Sequence, residues 1–190
     1  MRVSEAHRLE PAIFAKSPNF DARPIGIDVT IVVIHCISLP KGQFGTGLPT
    51  QLFLNAIDFE QYPKLEELRE YRVSAHLLIE RTGAVTQFVP FNERAWHAGE
   101  SSWQGRKDCN DFSIGIELEG TDDAQFEDPQ YEVLVETLVA LLQRYSTLSV
   151  GNIVGHSEIA GGRKTDPGSG FDWQRLLKAV IAQLNDPNPA

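Results

Sequence analysis

The chain has 190 residues, 42% hydrophobic and 23% charged, with a net charge of −9 at pH 7. That length suits one domain with a sizeable core. The acidic balance excludes a general nucleic-acid binder, which needs basic excess to neutralise phosphates, and no apolar run approaches the roughly 20 residues that span a bilayer.

Residues 1–10 contain Glu5 and Glu10 and no continuous apolar stretch, which argues against a secretory leader or lipid anchor and sets the expectation of a cytoplasmic protein. Residues 17–28, rich in Pro, Gly, Asn and Asp, read as a loop. Residues 30–34 form a continuous β-branched run, the pattern of a strand covered on both faces. A loop over 42–47 and helices over 49–59 and 63–71 follow. Residues 76–80 and 84–89 predict two strands joined by a tight turn at Arg81-Thr82-Gly83. Residues 96–111 are polar and irregular. Residues 113–119 alternate strictly, with Ile114, Ile116 and Leu118 on one face and Gly115, Glu117 and Glu119 on the other.

Pro129 opens an amphipathic helix to about residue 145, carrying Leu134, Leu138, Leu141 and Leu142 at helical spacing. Residues 152–155 form a short buried strand leading into His156. A Gly-rich loop and a helix over 172–184 close the chain. The expected fold is α/β: one domain, with its core over about 17–175, built on a mixed β-sheet flanked by helices.

Of five histidines, His7 sits in an N-terminal arm and reads as structural or idle. His76 opens a hairpin strand and reads as packed, and His97 follows Trp96 in a loop that suits pocket lining. His35 and His156 each lie at the C-terminal end of an apolar strand, where open sheets place their ligand sites. The loop after His156 adds Glu158 and Asp166 as candidates for a third ligand. Two imidazoles and one carboxylate make a usual catalytic zinc set. Cys36 is next to His35, but neighbouring strand residues face opposite ways, so the two do not share a metal. Cys36 and Cys109 read as free thiols in a reducing compartment.

Five ordered blocks carry a resemblance. They are Ile34-His-Cys-Ile-Ser-Leu-Pro40, Arg72-Val-Ser-Ala-His76, Arg94-Ala-Trp-His-Ala-Gly99, Asn110-Asp-Phe-Ser-Ile-Gly-Ile-Glu-Leu-Glu-Gly-Thr121, and Gly155-His-Ser-Glu-Ile-Ala through Arg163-Lys-Thr-Asp-Pro-Gly168, with Phe171-Asp-Trp173 after it. Together they resemble the AmpD family, the cytoplasmic 1,6-anhydro-N-acetylmuramyl-L-alanine amidases of the amidase-2 and peptidoglycan-recognition superfamily. The resemblance implies one zinc ion per chain on His35, His156 and Asp166, with Glu117 as the catalytic carboxylate and Lys164 stabilising the oxyanion. It gives Arg72 and the Trp96–His97 loop to the substrate's peptide carboxylates and anhydro-sugar. The implied reaction is hydrolysis of the lactyl–L-alanine amide of a small soluble muropeptide during cell-wall recycling. Rival readings are an amidase of polymeric peptidoglycan and a non-catalytic peptidoglycan-binding module. Strand periodicity alone leaves Glu117 and Glu119 equivalent. The sequence departs from the family at Cys36, where Asn is usual, and at Asp108, where some members carry a basic residue.

Overall fold

The computed structural model describes residues 1–186. The N-terminal arm is ordered as short strands: β1 (Arg2–Val3) and β2 (Leu9–Glu10) form a hairpin, followed by β3 (Ile13–Phe14) and β4 (Phe20–Ala22). The last of these falls in the expected loop. Its partner is β8 (Glu93–Ala95), so its pairing is non-local and leaves no signal in the segment itself. The β-branched run becomes β5 (Ile31–Ile37), longer than expected because the pairing continues through His35 and Cys36.

Helix α1 (Leu48–Phe53) is shorter than its prediction. Asn55 takes a positive φ of 54°, and the chain leaves the helix there. Residues Pro63–Leu68 form a 3₁₀ helix rather than an α-helix. β6 (Leu77–Ile79) and β7 (Val85–Gln87) make the expected antiparallel hairpin. The irregular region hides a small hairpin of β9 (Ser102–Trp103) and β10 (Arg106–Lys107). Gln104 and Gly105 turn it, both at positive φ, without the Asn-Gly pair that usually announces such a turn.

β11 (Ser113–Glu119) matches its prediction residue for residue. Helix α2 (Asp128–Arg144) carries a capping box in which Gln130 accepts the Glu127 N–H at 3.0 Å. It crosses over to β12 (Ile153–Gly155), α3 (His156–Ile159) and finally α4 (Trp173–Leu184). The main sheet has the order β12-β5-β11-β6-β7-β3. β12, β5, β11 and β6 run parallel, and β7 is antiparallel to β6. This is the mixed sheet that the sequence predicts.

Both sheet faces are covered, which explains the unbroken apolar run of β5. Val32 and Ile34 of β5, with Ile114, Ile116 and Leu118 of β11, pack beneath α2 and α4 through Leu134, Leu138, Leu141, Leu176 and Val180. The opposite face carries Ile31 and Val33 with Phe112 and Val154 in one cluster, and Leu78 with Leu52, Phe53 and Phe88 in another. His35 continues the Ile31–Val33 row on that face. No helix among the described residues is long and apolar enough to cross a membrane.

Candidate metal centre and active site

Parallel pairing sets the site. Glu117 of β11 stands directly beside His35 of β5, and paired residues of neighbouring strands point to the same face. β12 pairs with the other edge of β5 and ends at Gly155, so His156 emerges next to His35. Asp166 comes from the Gly-rich loop. That loop is anchored by Gly168, where an added Cβ would lie 2.1 Å from the Asp122 carbonyl oxygen, so only glycine allows the approach.

The three implied ligands converge. His35 Nδ1 is 3.0 Å from His156 Nδ1, and each lies 3.1 Å from Asp166 Oδ2. Their residues are 1%, 4% and 9% exposed. Ligands on a tetrahedral ion at ~2.0–2.1 Å stand roughly 3.3 Å apart, so the triangle has the size of a zinc set. Its chemistry fits as well. The other nitrogen of His156 faces the Ala98 carbonyl at 3.1 Å, and such an oxygen only accepts, which places the His156 proton on Nε2. Burial lowers His35 to about 4, so its imidazole is neutral near pH 7 and also has one nitrogen free of a proton. A bound cation would satisfy such a cluster of lone pairs aimed at one another.

Glu158, the other candidate ligand, accepts the Gly155 N–H at 2.6 Å and caps α3 instead. Glu119 accepts the N–H groups of Gly45 (2.6 Å) and Arg81 (3.4 Å), fastening two loops. Glu117 has no such duty: its Oε2 is buried without a hydrogen-bond partner among the described residues. Burial pushes its carboxyl well above the usual range, the Asp166 charge adds to this, and Lys164 opposes it. An unpartnered carboxyl of this kind in a cleft is a candidate working group.

An open cleft of about 270 Å³ brings together His35, His156, Asp166, Glu117, Lys164, Trp96 and His97. Trp96 also donates from Nε1 to Asp21 at 3.1 Å. Arg72 is not in this group. It donates to the carbonyls of Arg69 (2.9 Å) and Tyr71 (3.0 Å) and borders an adjoining pocket that shares Leu52, Leu68 and Tyr71 with the cleft. His7 stacks on Tyr145 with Nδ1 2.7 Å from its hydroxyl, and His76 is buried, as their sequence contexts suggest. Cys36 directs its thiol to Asp122 at 3.3 Å, and both cysteines are free.

Gly115 is needed for a different reason. A Cβ there would lie 2.5 Å from Cγ and Nδ1 of His97, so Gly115→Ala displaces the ring or the strand. The expected cost is about 1–3 kcal/mol, a fall in Tm of roughly 2–4 °C per kcal/mol for a chain of this size. An unchanged Tm would mean that the ring moves aside freely.

Three protein ligands, two imidazoles and one carboxylate, are the donors of hydrolytic metal sites, whose remaining position serves water or substrate. The sequence narrows that class: residues 25–169 match the model of N-acetylmuramoyl-L-alanine amidases, and the chain belongs to that family. It is 49% identical over 165 residues to the 1,6-anhydro-N-acetylmuramyl-L-alanine amidase AmpD of Haemophilus influenzae, covering 87% of this chain and 90% of that one. A crystal structure of a selenomethionine AmpD derivative superposes with a TM-score of 0.91 at 47% identity, over 95% of this chain and 99% of that one. The amidase AmiD from E. coli, solved with anhydro-N-acetylmuramic acid-L-Ala-D-gamma-Glu-L-Lys, matches at a TM-score of 0.58 and 32% identity, over 80% of this chain and 57% of that one.

Proposed function

We propose that the whole chain is one zinc amidase domain that hydrolyses the amide between the lactyl group of 1,6-anhydro-N-acetylmuramic acid and L-alanine in small, soluble muropeptides of the cytoplasm. The observation that carries this reading is the His35–His156–Asp166 triangle sharing a cleft with the unpartnered Glu117. Half-identity to AmpD across most of both chains supports the choice of bond and sugar. Zinc on the triangle supplies a Lewis acid that polarises a carbonyl oxygen and makes water acidic near neutral pH.

Glu117 removes a proton from the attacking water and returns it to the departing alanine nitrogen. Lys164 lines the cleft, and its role is to stabilise the negative charge that develops on the former carbonyl oxygen. Trp96 lines the cleft as an apolar wall for the sugar or peptide, and Arg72, in the adjoining pocket, is assigned to carboxylates farther along the stem peptide.

The direct test is mass spectrometry of anhydro-muramyl-tripeptide incubated with zinc-loaded protein. Free tripeptide and anhydro-muramic acid are expected. Cleavage of purified sacculi in place of the soluble substrate would move the activity to polymeric peptidoglycan, and cleavage of neither would leave a binding module. In the same assay Lys164→Ala is expected to lose about 10²–10³-fold in turnover with zinc still bound. Unchanged turnover would remove Lys164 from the reaction.

A further inference from the structure

His97 has no nitrogen to spare for a substrate. Its Nδ1 lies 2.9 Å from His35 Nε2, and its Nε2 lies 3.0 Å from Ser113 Oγ. Proton positions follow from the ligand set. If His35 ligates through Nδ1, its single proton is on Nε2 and points at His97. His97 Nδ1 must then accept, which puts the His97 proton on Nε2, facing the Ser113 hydroxyl.

The next residue serves the second ligand. Ala98 O accepts from His156 Nε2 at 3.1 Å and from the Arg163 guanidinium at 2.9 Å. Two consecutive residues thus receive the outward N–H of both ligand imidazoles. Their backbone is fixed in turn: Asn110 Oδ1 accepts the N–H of His97 (3.1 Å) and of Ala98 (2.9 Å). The half-buried Arg23 guanidinium donates to the carbonyls of Asn110 (3.0 Å), Asp111 (3.0 Å) and Ser113 (2.7 Å), holding the segment that carries both Asn110 and Ser113.

We propose that His97 is a positioning residue for the metal centre: by accepting the outward N–H of His35 it holds the tautomer whose Nδ1 is free to bind the ion, with Ser113 Oγ as the partner of its own Nε2, while Asn110 fixes the 97–98 backbone that does the same for His156. The inference rests on the zinc reading above and replaces a substrate contact for His97. Gly115 has its place in this scheme, because a side chain there would evict the ring that orients His35.

The test is the zinc dissociation constant of purified, metal-free protein, measured by competition with a chromogenic chelator, alongside the Tm of each metal-free variant. Partners of this kind are worth about 10–100-fold in metal affinity. His97→Leu, which cannot accept from His35, should weaken zinc by that factor. His97→Asn, whose side-chain oxygen can stand near the position of Nδ1, should recover most of it. Ser113→Ala, a small change at a buried position that will fold even if His97→Leu does not, should weaken zinc in the same direction by less.

Unchanged zinc affinity in both His97→Leu and Ser113→Ala overturns the proposal. A lowered Tm with unaltered affinity would make the contact structural only, and a raised KM with unaltered affinity would return His97 to the substrate. Failure of the wild-type chain to bind zinc is a different result, which sinks the zinc reading itself.

Discussion

Glu117→Gln is expected to cut turnover by about 10²–10⁴-fold, the usual contribution of a positioned general acid–base, while zinc affinity stays near that of the wild type. The glutamine fills the same volume beside His35 and neither takes nor gives the proton. Mass-spectrometric turnover and chelator competition on one preparation separate the two quantities. A variant that turns over at wild-type rate would take Glu117 out of proton transfer. One that loses zinc would make it part of the ligand sphere.

The same exchange has a predicted effect on stability in the metal-free protein. Glu117 is raised in the folded state by burial and by Asp166. A raised acid is bound more readily by a proton when folded, so its stabilising effect is complete below the unfolded value of ~4.3 and is lost as pH rises through the folded value. Metal-free Glu117→Gln should therefore have a higher Tm than the wild type at pH 7. The gap should close toward pH 4. A lower Tm for the variant at pH 7 would contradict a buried, unpartnered carboxylate.

Why the sequence revealed some of this and not the rest follows from where the information lies. β11 alternates cleanly and is flanked by β5 and β6, so its own residues define it. β4 exists only because Glu93–Ala95 returns to it, and a tertiary pairing leaves no periodicity behind. The expected helix over 49–59 stops early because Asn55 adopts a left-handed backbone, a local choice that Asn tolerates but does not announce.

In the site, the strand-end positions of His35 and His156 could be read from apolar runs. Choosing Asp166 over Glu158, and Glu117 over Glu119, needed the resemblance, since each pair is equivalent by composition and periodicity. The structure gives the physical distinction: the rejected carboxylates are consumed by backbone N–H groups of Gly155, Gly45 and Arg81. Asn110, Ser113 and the Ala98 carbonyl carry no functional signal of their own in the sequence. Asn110 and Ser113 fall within a block that carries the resemblance, but a carbonyl has no signature in sequence at all.

Removing the metal, or a ligand, is the larger test of the reading. Dialysis against a strong chelator should abolish cleavage, and zinc should restore it. Binding to the folded state alone stabilises by about 2.7 kcal/mol when free zinc is 100 times its dissociation constant. For a chain of this size that raises Tm by roughly 5–10 °C. His156→Ala should abolish both the cleavage and the zinc-dependent rise in Tm, because it leaves His35 and Asp166 with two donors where a catalytic site holds three. Asp166→Asn is the subtler variant. It keeps the shape of the triangle but removes the charge that offsets the cation, so it should bind zinc more weakly, and its Tm response should move to higher zinc concentration. If His156→Ala keeps the full zinc-dependent shift, the ion is binding elsewhere. The triangle would then have to be reread as a hydrogen-bonded cluster, with a proton shared among three groups that now look like acceptors.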